Sequence, residues 1–360
     1  MNRIDRRYAR PIPCPAALPG SWPLGGSLAG FREVAVMARG RADEVLPVEA
    51  AAIAHPDLAA DIARAASAPP AEPGVMAIVN VTPDSFSDGG RHLEVEAAVA
   101  FARRAVAHGA AILDVGGEST RPGAAPVPPA EEADRVVPVI RAILAAQAAD
   151  GTAVPVSIDT RNAETAAAAL DAGATILNDV SALTHDPAMP RIAPAFERVC
   201  LMHALGDPQT MQADPRYGHV LLDIHDYLAE RVAAAEALGI GRARLYVDPG
   251  IGFGKRLAHN LALIDGLALF HTLGAPVLLG VSRKRFIGTL AAPTGTGAVA
   301  DDRAAGSVAA GLKGLDAGAA MLRVHDVAET AQAVAVWRAL AGLRGGAEAP
   351  ATEAAMEGRP

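Results

Sequence analysis

The sequence predicts an α/β chain, a (β/α)8 TIM barrel preceded by an N-terminal extension. Three observations carry that expectation. From residue 75 onward, short apolar runs alternate with amphipathic, alanine-rich segments, the pattern of a parallel sheet covered on its faces. The stretches AHGAAILDV, DAGATILNDV, LGAPVLLGV and DAGAAMLRV repeat one order: helix end, glycine, short turn, strand. Eight such units occupy about 265 residues, the usual size of this barrel. A doubly wound open sheet is the alternative. It is disfavoured because no glycine-rich dinucleotide fingerprint follows the first run.

The elements follow in chain order. Residues 1–73 form an extension or cap, proline-rich and irregular at its start. Within it, VAVMA and VLPVE read as the strands of a hairpin around a turn at residues 39–42, placed to plug the N-terminal end of the barrel. HPDLAADIARAAS reads as a short helix, and APPAEPG (68–74) as a linker. The barrel spans residues 74–343. Its strand runs are VMAIVNV, AILDVGG, VPVSIDT, TILNDV, VCLMHA, RLYVDPG, PVLLGVS and AMLRVHD. Helical patterns lie between them, among them EVEAAVAFARRAVAHG, AETAAAALDAG, LAERVAAAEALG and ETAQAVAVWRAL. Gly109, Gly173, Gly274 and Gly318 stand where a helix end needs positive φ. Residues 344–360 read as a disordered tail.

Composition bounds the function. Of 360 residues, 51% are hydrophobic and 20% charged, which supports a large core. A net charge of −8 argues against a nucleic-acid partner. Two distant cysteines, Cys14 and Cys200, lack metal spacing and suit a reducing compartment. No signal peptide and no membrane-spanning stretch is recognisable, so a cytoplasmic protein is expected.

Chemistry collects at the strand ends, which in this fold face one mouth. The runs exit at Asn80, Asp114, Asp159, Asn178, His203, Asp248, Ser282 with Lys284, and Arg323 with His325. Asp159, Asn178, Asp248 and Lys284 combine acceptors and donors suited to a flat heterocycle carrying ring NH and amino groups. Alternatively, each Asp caps the helix after its strand; Asp159 is placed to cap a helix starting near Asn162. Strand alternation puts Arg323 and His325 on one face and turns Val324 away. With Asn80 and Thr120 they suit a diphosphate, and the Asn80 oxygen suits Mg²⁺. An ion pair between Arg323 and Asp326 is the competing account. The loops TPDSFSDGG and ESTRPGAAPVPP are long and turn-rich, which marks either functional loops or solvent-facing connectors. Phe86 either meets a ligand or tucks under its own loop.

Together the stretches NVTPDSFSDGG, DVGGESTRPGA, SIDT, NDV, MH with PQTMQ, DPGIGFGK, GVSRKRFIG, RAAGS and RVHDV resemble the dihydropteroate synthase family. The resemblance covers about residues 75–342 and touches every strand end. It implies a TIM barrel that joins 6-hydroxymethyl-dihydropterin diphosphate to 4-aminobenzoate, releasing diphosphate. By position it implies that Asp159, Asn178, Asp248 and Lys284 hold the pterin, with Met202 and Phe253 as apolar walls. Asn80 would bind Mg²⁺. Thr120, Arg323, Val324 and His325 would hold the diphosphate, and Phe86, Thr120, Arg121, Pro122, Ser282 and Lys284 the 4-aminobenzoate. Asp159, Asp248 and Lys284 would act in catalysis. A homodimer is implied too. Val336, Trp337 and Leu340 suit its interface, and packing on the barrel explains them equally. The sequence departs from the family pattern at Ile251, Ala204–Leu205 and Asp302 without losing an inferred polar contact. Two rivals remain: a corrinoid-dependent methyltransferase's pterin domain, against which SRKRFIG and the STRP loop argue, and a silent pterin-binding paralogue.

Overall fold

The computed structural model describes residues 5–16, 18–25, 27–67, 74–81, 90–118, 126–206, 210–297 and 299–344. The expected linker (68–73) and all of the expected tail except Arg344 lie outside these residues.

The extension holds four strands: β1 (Arg7–Pro15), β2 (Trp22–Pro23), β3 (Ala29–Ala38) and β4 (Glu44–Pro47). They form one antiparallel sheet centred on β3. The expected hairpin is β3–β4, registered from Glu33 opposite Pro47 to Val36 opposite Glu44. The run read as irregular is instead β1, paired with β3 from Arg7 opposite Ala38 to Pro15 opposite Ala29. Pro11, Pro13 and Pro15 disguise it, because proline lacks the N–H of a ladder. Pairing with β3 alone makes β1 an edge strand, where that loss is tolerated. Two helices follow, α1 (Val48–Ala54) and α2 (Ala59–Ser67).

The barrel strands are β5 (Gly74–Asn80), β6 (Ile112–Gly116), β7 (Val156–Asp159), β8 (Ile176–Asp179), β9 (Arg198–Met202), β10 (Leu245–Asp248), β11 (Leu278–Leu279) and β12 (Met321–Val324). All eight are parallel, in the order β10-β9-β8-β7-β6-β5-β12-β11. A single bridge between Val247 and Val277 closes the ring from β10 to the start of β11, with Val247 N–H donating to the Pro276 carbonyl at 3.0 Å. The principal helices between and after them are α3 (Gly90–Ala107), α4 (Pro129–Asp150), α5 (Ala163–Asp171), α6 (Met189–Ile192), α7 (Val220–Ala237), α8 (Leu257–Asp265), α9 (Arg285–Ala291), α10 (Ala304–Asp316) and α11 (Val327–Arg344). The four repeat glycines have φ of 95°, 105°, 72° and 89°, the left-handed turn expected of them.

Alternation sorts each strand into two sets. Outward residues such as Val75, Leu113, Ile158, Leu201 and Leu322 join the helices in one continuous core. Inward residues Met76, Ile112, Ile176, Cys200, Tyr246, Leu278 and Met321 fill the lower barrel as a separate apolar layer.

The extension packs against α7 and a 3-10 helix, Leu267–Leu273. Tyr8, Ala35 and Met37 join the main core. Tyr8 donates to Asp226 of α7 at 2.9 and 3.0 Å, and Arg39 reaches Asp223 and Asp226 at 2.9 Å each. His225 and His271 are buried beneath this contact. His225 pairs with Thr272 at 2.9 Å and His271 with the Ala317 carbonyl at 3.0 Å.

Candidate active site

Two or four residues beyond the apolar layer, the same inward alternation delivers Asn80, Asp114, Asn178, Met202, Asp248, Gly280 and Arg323 to the barrel mouth. Asp159 ends β7 at the same level, paired with Gly116 and Asn178. An apolar floor therefore carries a polar ring, because the chain changes residue type along one face of each strand.

Arg323 is the centre of the ring. Its Nε donates to Asp114 Oδ2 and its terminal nitrogen to Asp159 Oδ2, both at 2.6 Å. Asn178 Nδ2 donates to the same Asp114 oxygen at 3.0 Å. Among the described residues, the other oxygens, Asp114 Oδ1 and Asp159 Oδ1, are buried without a hydrogen-bond partner, as is Ser157 Oγ. A buried acceptor without a donor is costly, so these oxygens suit ring NH or amino groups of a bound molecule. Burial pushes the Asp159 carboxyl up to about 7, against the pull of Arg323. Neither competing account describes these residues. Asn162, not Asp159, stands at the N-terminus of α5, whose first amide donates to Asp186 at 2.8 Å. Asp326 pairs with Arg283, at 2.5 and 3.1 Å, rather than with Arg323.

Across the mouth, Asp248 Oδ1 accepts from Gly250 N–H at 2.6 Å. Burial raises this carboxyl, with Lys284 opposing the shift. Lys284 is lowered to about 8 by burial, with Asp248 working the other way. Its ammonium lies 4.8 Å from the Phe253 ring centroid and donates to the Ile251 carbonyl. A Cβ built on Gly280 would lie 3.7 Å from Lys284 Nζ and 3.9 Å from Asp248 Oδ2, so the bare glycine leaves space between them. Met202 is buried beside this pair at the end of β9.

Ser282 Oγ meets His325 Nδ1 at 3.0 Å and accepts from His325 N–H at 3.1 Å, tying the exits of β11 and β12 together. Between Ser282 and Lys284, Arg283 has φ of 57°, a strained conformation that sends its neighbours different ways. Val324 faces the helix core, as alternation requires. Asn80 ends β5, half-buried. Phe86, Thr120, Arg121 and Pro122 lie outside the described residues.

Asp114 takes a larger part than its sequence position suggested. The available signal was a carboxylate inside an apolar run, AILDV, where an unpaired charge is expensive. Also unassigned by the sequence was a buried pair, Lys255 and His203, whose Nζ and Nδ1 are 2.9 Å apart.

Comparison with known proteins gives the family of the chain that carries this site. Residues 76–325 match the family described as pterin binding enzyme. The chain is 44% identical over 264 residues to dihydropteroate synthase of Escherichia coli, covering 73% of this chain and 90% of that one. It is 46% identical over 275 residues to the enzyme of Neisseria meningitidis serogroup B, covering 75% and 93%. Among solved structures it resembles dihydropteroate synthase of Xanthomonas albilineans with 4-aminobenzoic acid. That likeness has 48% identity, a TM-score of 0.67 and coverage of 74% of this chain and 93% of the other. The same enzyme in complex with 7,8-dihydropteroate gives 46% identity and a TM-score of 0.65, with coverage of 74% and 93%.

Proposed function

The chain belongs to the dihydropteroate synthase family of pterin-binding enzymes, and from that premise we propose how its own residues divide the reaction. The reaction joins the pterin methylene carbon to the nitrogen of 4-aminobenzoate and releases diphosphate, within folate biosynthesis. The observation that carries the assignment is the Arg323 bridge between Asp114 and Asp159, directly above the apolar floor.

Asp159, Asn178, Asp248 and Lys284 hold the pterin, walled by Met202 and Phe253. Arg323 and His325, with Thr120 and the backbone at Val324, hold the diphosphate. Arg323 is held charged by two carboxylates, so it meets that group without a prior proton transfer. Departure of diphosphate leaves a cationic methylene conjugated with the pterin, and the Asp159 carboxylate stabilises that charge. Asp248 binds the ring and its amino group. The arylamine nitrogen is neutral at pH 7 and attacks without a strong general base. Ser282, Lys284, Phe86, Thr120, Arg121 and Pro122 form its pocket, and the loops after β5 and β6 exclude water.

Asn80 fits Mg²⁺ in one specific way. Among the described residues no group of three or more His, Cys, Asp or Glu side chains is arranged to hold a metal. One neutral oxygen from the chain suits an ion that keeps waters and takes its remaining ligands from the diphosphate. When bound, Mg²⁺ supplies charge neutralisation on that leaving group.

The catalytic unit is residues 74–343, the described part of the extension packs on α7 and the 3-10 helix Leu267–Leu273, and the protein acts in the cytoplasm as a homodimer. Among the described residues no helix is long and apolar enough to cross a membrane. On α11, Val336 and Leu340 are exposed while Trp337 packs partly on the core, which supports an interface there.

The direct test supplies the purified chain with the pterin diphosphate, 4-aminobenzoate and Mg²⁺. Formation of 7,8-dihydropteroate with equimolar diphosphate is the expected result. Binding of the pterin diphosphate without product would overturn the assignment of a working synthase.

A further inference from the structure

Lys255 is 4% exposed and, among the described residues, has no carboxylate among its hydrogen-bond partners. Its Nζ has three of them: His203 Nδ1 at 2.9 Å, the Phe253 carbonyl at 2.9 Å and the His203 carbonyl at 3.3 Å. Burial pushes the Lys255 ammonium well down and the charge of Asp248 works against that shift; three acceptors match the three donors of its charged form. His203 is built to be one of them. Its ring packs edge-on to Tyr227, with centroids 4.9 Å apart, and burial keeps it neutral, down to about 2.

The segment that Lys255 grips is under constraint. Gly250, Gly252 and Gly254 all take left-handed φ, at 69°, 87° and 66°. A Cβ on Gly250 would run into the His203 carbonyl, and one on Gly254 would come within 2.5 Å of Leu205. The loop is thus pressed against the exit of β9. It also delivers three parts of the mouth: the amide that caps Asp248, the Ile251 carbonyl on Lys284, and the Phe253 ring beside the Lys284 ammonium.

We propose that Lys255, oriented by His203, is a positioning residue for the pterin subsite: it ties the carbonyls of His203 and Phe253 together and so sets Asp248, Phe253 and Lys284 in register. The claim rests on the synthase assignment above. It reaches the arylamine pocket only through Lys284, which serves both subsites, because the Ser282–His325 link lies on other strands and does not touch Lys255.

The test is calorimetric titration of the full chain with the pterin diphosphate, without 4-aminobenzoate. Lys255→Met lowers affinity by at least about tenfold, the scale expected when a binding group is displaced by a fraction of an ångström. The KM for 4-aminobenzoate at saturating pterin diphosphate rises by a smaller factor than the pterin diphosphate affinity falls, because Lys284 is shared while the Ser282–His325 link is left in place. His203→Leu reproduces the loss, and His203→Gln, which keeps an acceptor, restores most of the affinity. If Lys255→Met binds the pterin diphosphate as wild type does and loses only thermal stability, the role is purely structural and the proposal fails. Should that variant not fold, the His203 pair decides: equal affinity in the Leu and Gln variants overturns it. Failure of the wild-type chain to bind the pterin diphosphate is a different result, and overturns the synthase assignment together with this claim.

Discussion

Asp159 combines burial, a shared cation and one oxygen without a partner. Its carboxyl is raised to about 7 by burial, so the charged form proposed to stabilise a methylene cation predominates only above that pH. The sign is therefore fixed: kcat/KM climbs as pH rises through about 7, and Asp159→Asn removes that limb. The same substitution lowers kcat by roughly a hundredfold, the scale of losing one electrostatic stabiliser. Pterin diphosphate affinity falls far less, since Asn178, Asp248 and Lys284 remain. Equal small losses in both quantities, from steady-state kinetics and calorimetry, would contradict the role. Gly280 offers a second probe. Its Cβ space meets Lys284 Nζ, Asp248 Oδ2 and Arg323 Cβ at 3.7–4.0 Å, an ordinary packing distance. Gly280→Ala is expected to leave the melting temperature nearly unchanged while weakening pterin binding at least about tenfold, because the methyl occupies ligand space and strains nothing.

Elements were legible to different degrees, and the reason is local. Eight barrel strands showed in the sequence because buried parallel strands are continuous apolar runs, and glycines punctuate them at helix ends. β1 did not, because alternate prolines removed its strand signal while an edge position removed the need for it. The polar exits were legible one at a time. Their partners were not: Arg323 and Asp114 are separated by 209 positions, and β12 reaches β6 only across β5. The glycine loop after β10 shows the same limit. DPGIGFGK was legible as a stretch shared with the family, but not that Gly250 faces the His203 carbonyl. Gly250→Ala combines a left-handed φ with that contact and is expected to cost about 1–3 kcal/mol, measured by urea unfolding. An unfolding midpoint equal to wild type would mean the loop can move off β9, and the register argument would lose its footing.

At the scale of the whole molecule, the extension and the barrel share one core but meet through buried polar groups. His225 and His271 are held neutral there, lowered to about 3 and about 4 by burial. Arg6, Arg64 and Arg39 add to that at His225, with Tyr8 stacked edge-on against it. A histidine lowered in the fold costs nothing above its unfolded value near 6.5. Below that, the unfolded chain binds protons the folded one refuses, so stability falls from pH 6.5 down to about 4 through His271 and to about 3 through His225. The contact should therefore loosen first on acidification. Hydrogen exchange is expected to show Tyr8, β3 and residues 267–273 losing protection before β5–β9 do; uniform loss would mean the two parts unfold as one.

The closing bridge of the barrel gains a meaning from this. Between β10 and β11 the ring is held by one pairing, Val247 with Val277, where β9 and β10 share four pairs and β11 and β12 share two. Asp248 and Gly280 stand at the ends of those two strands, so the thinnest joint in the wall runs through the proposed pterin floor. Just before β11 lies the 3-10 helix on which the extension leans, with Arg64 donating to the Thr272 carbonyl at 2.9 Å. The extension thus braces the stretch of chain that leads into this joint, just upstream of β11.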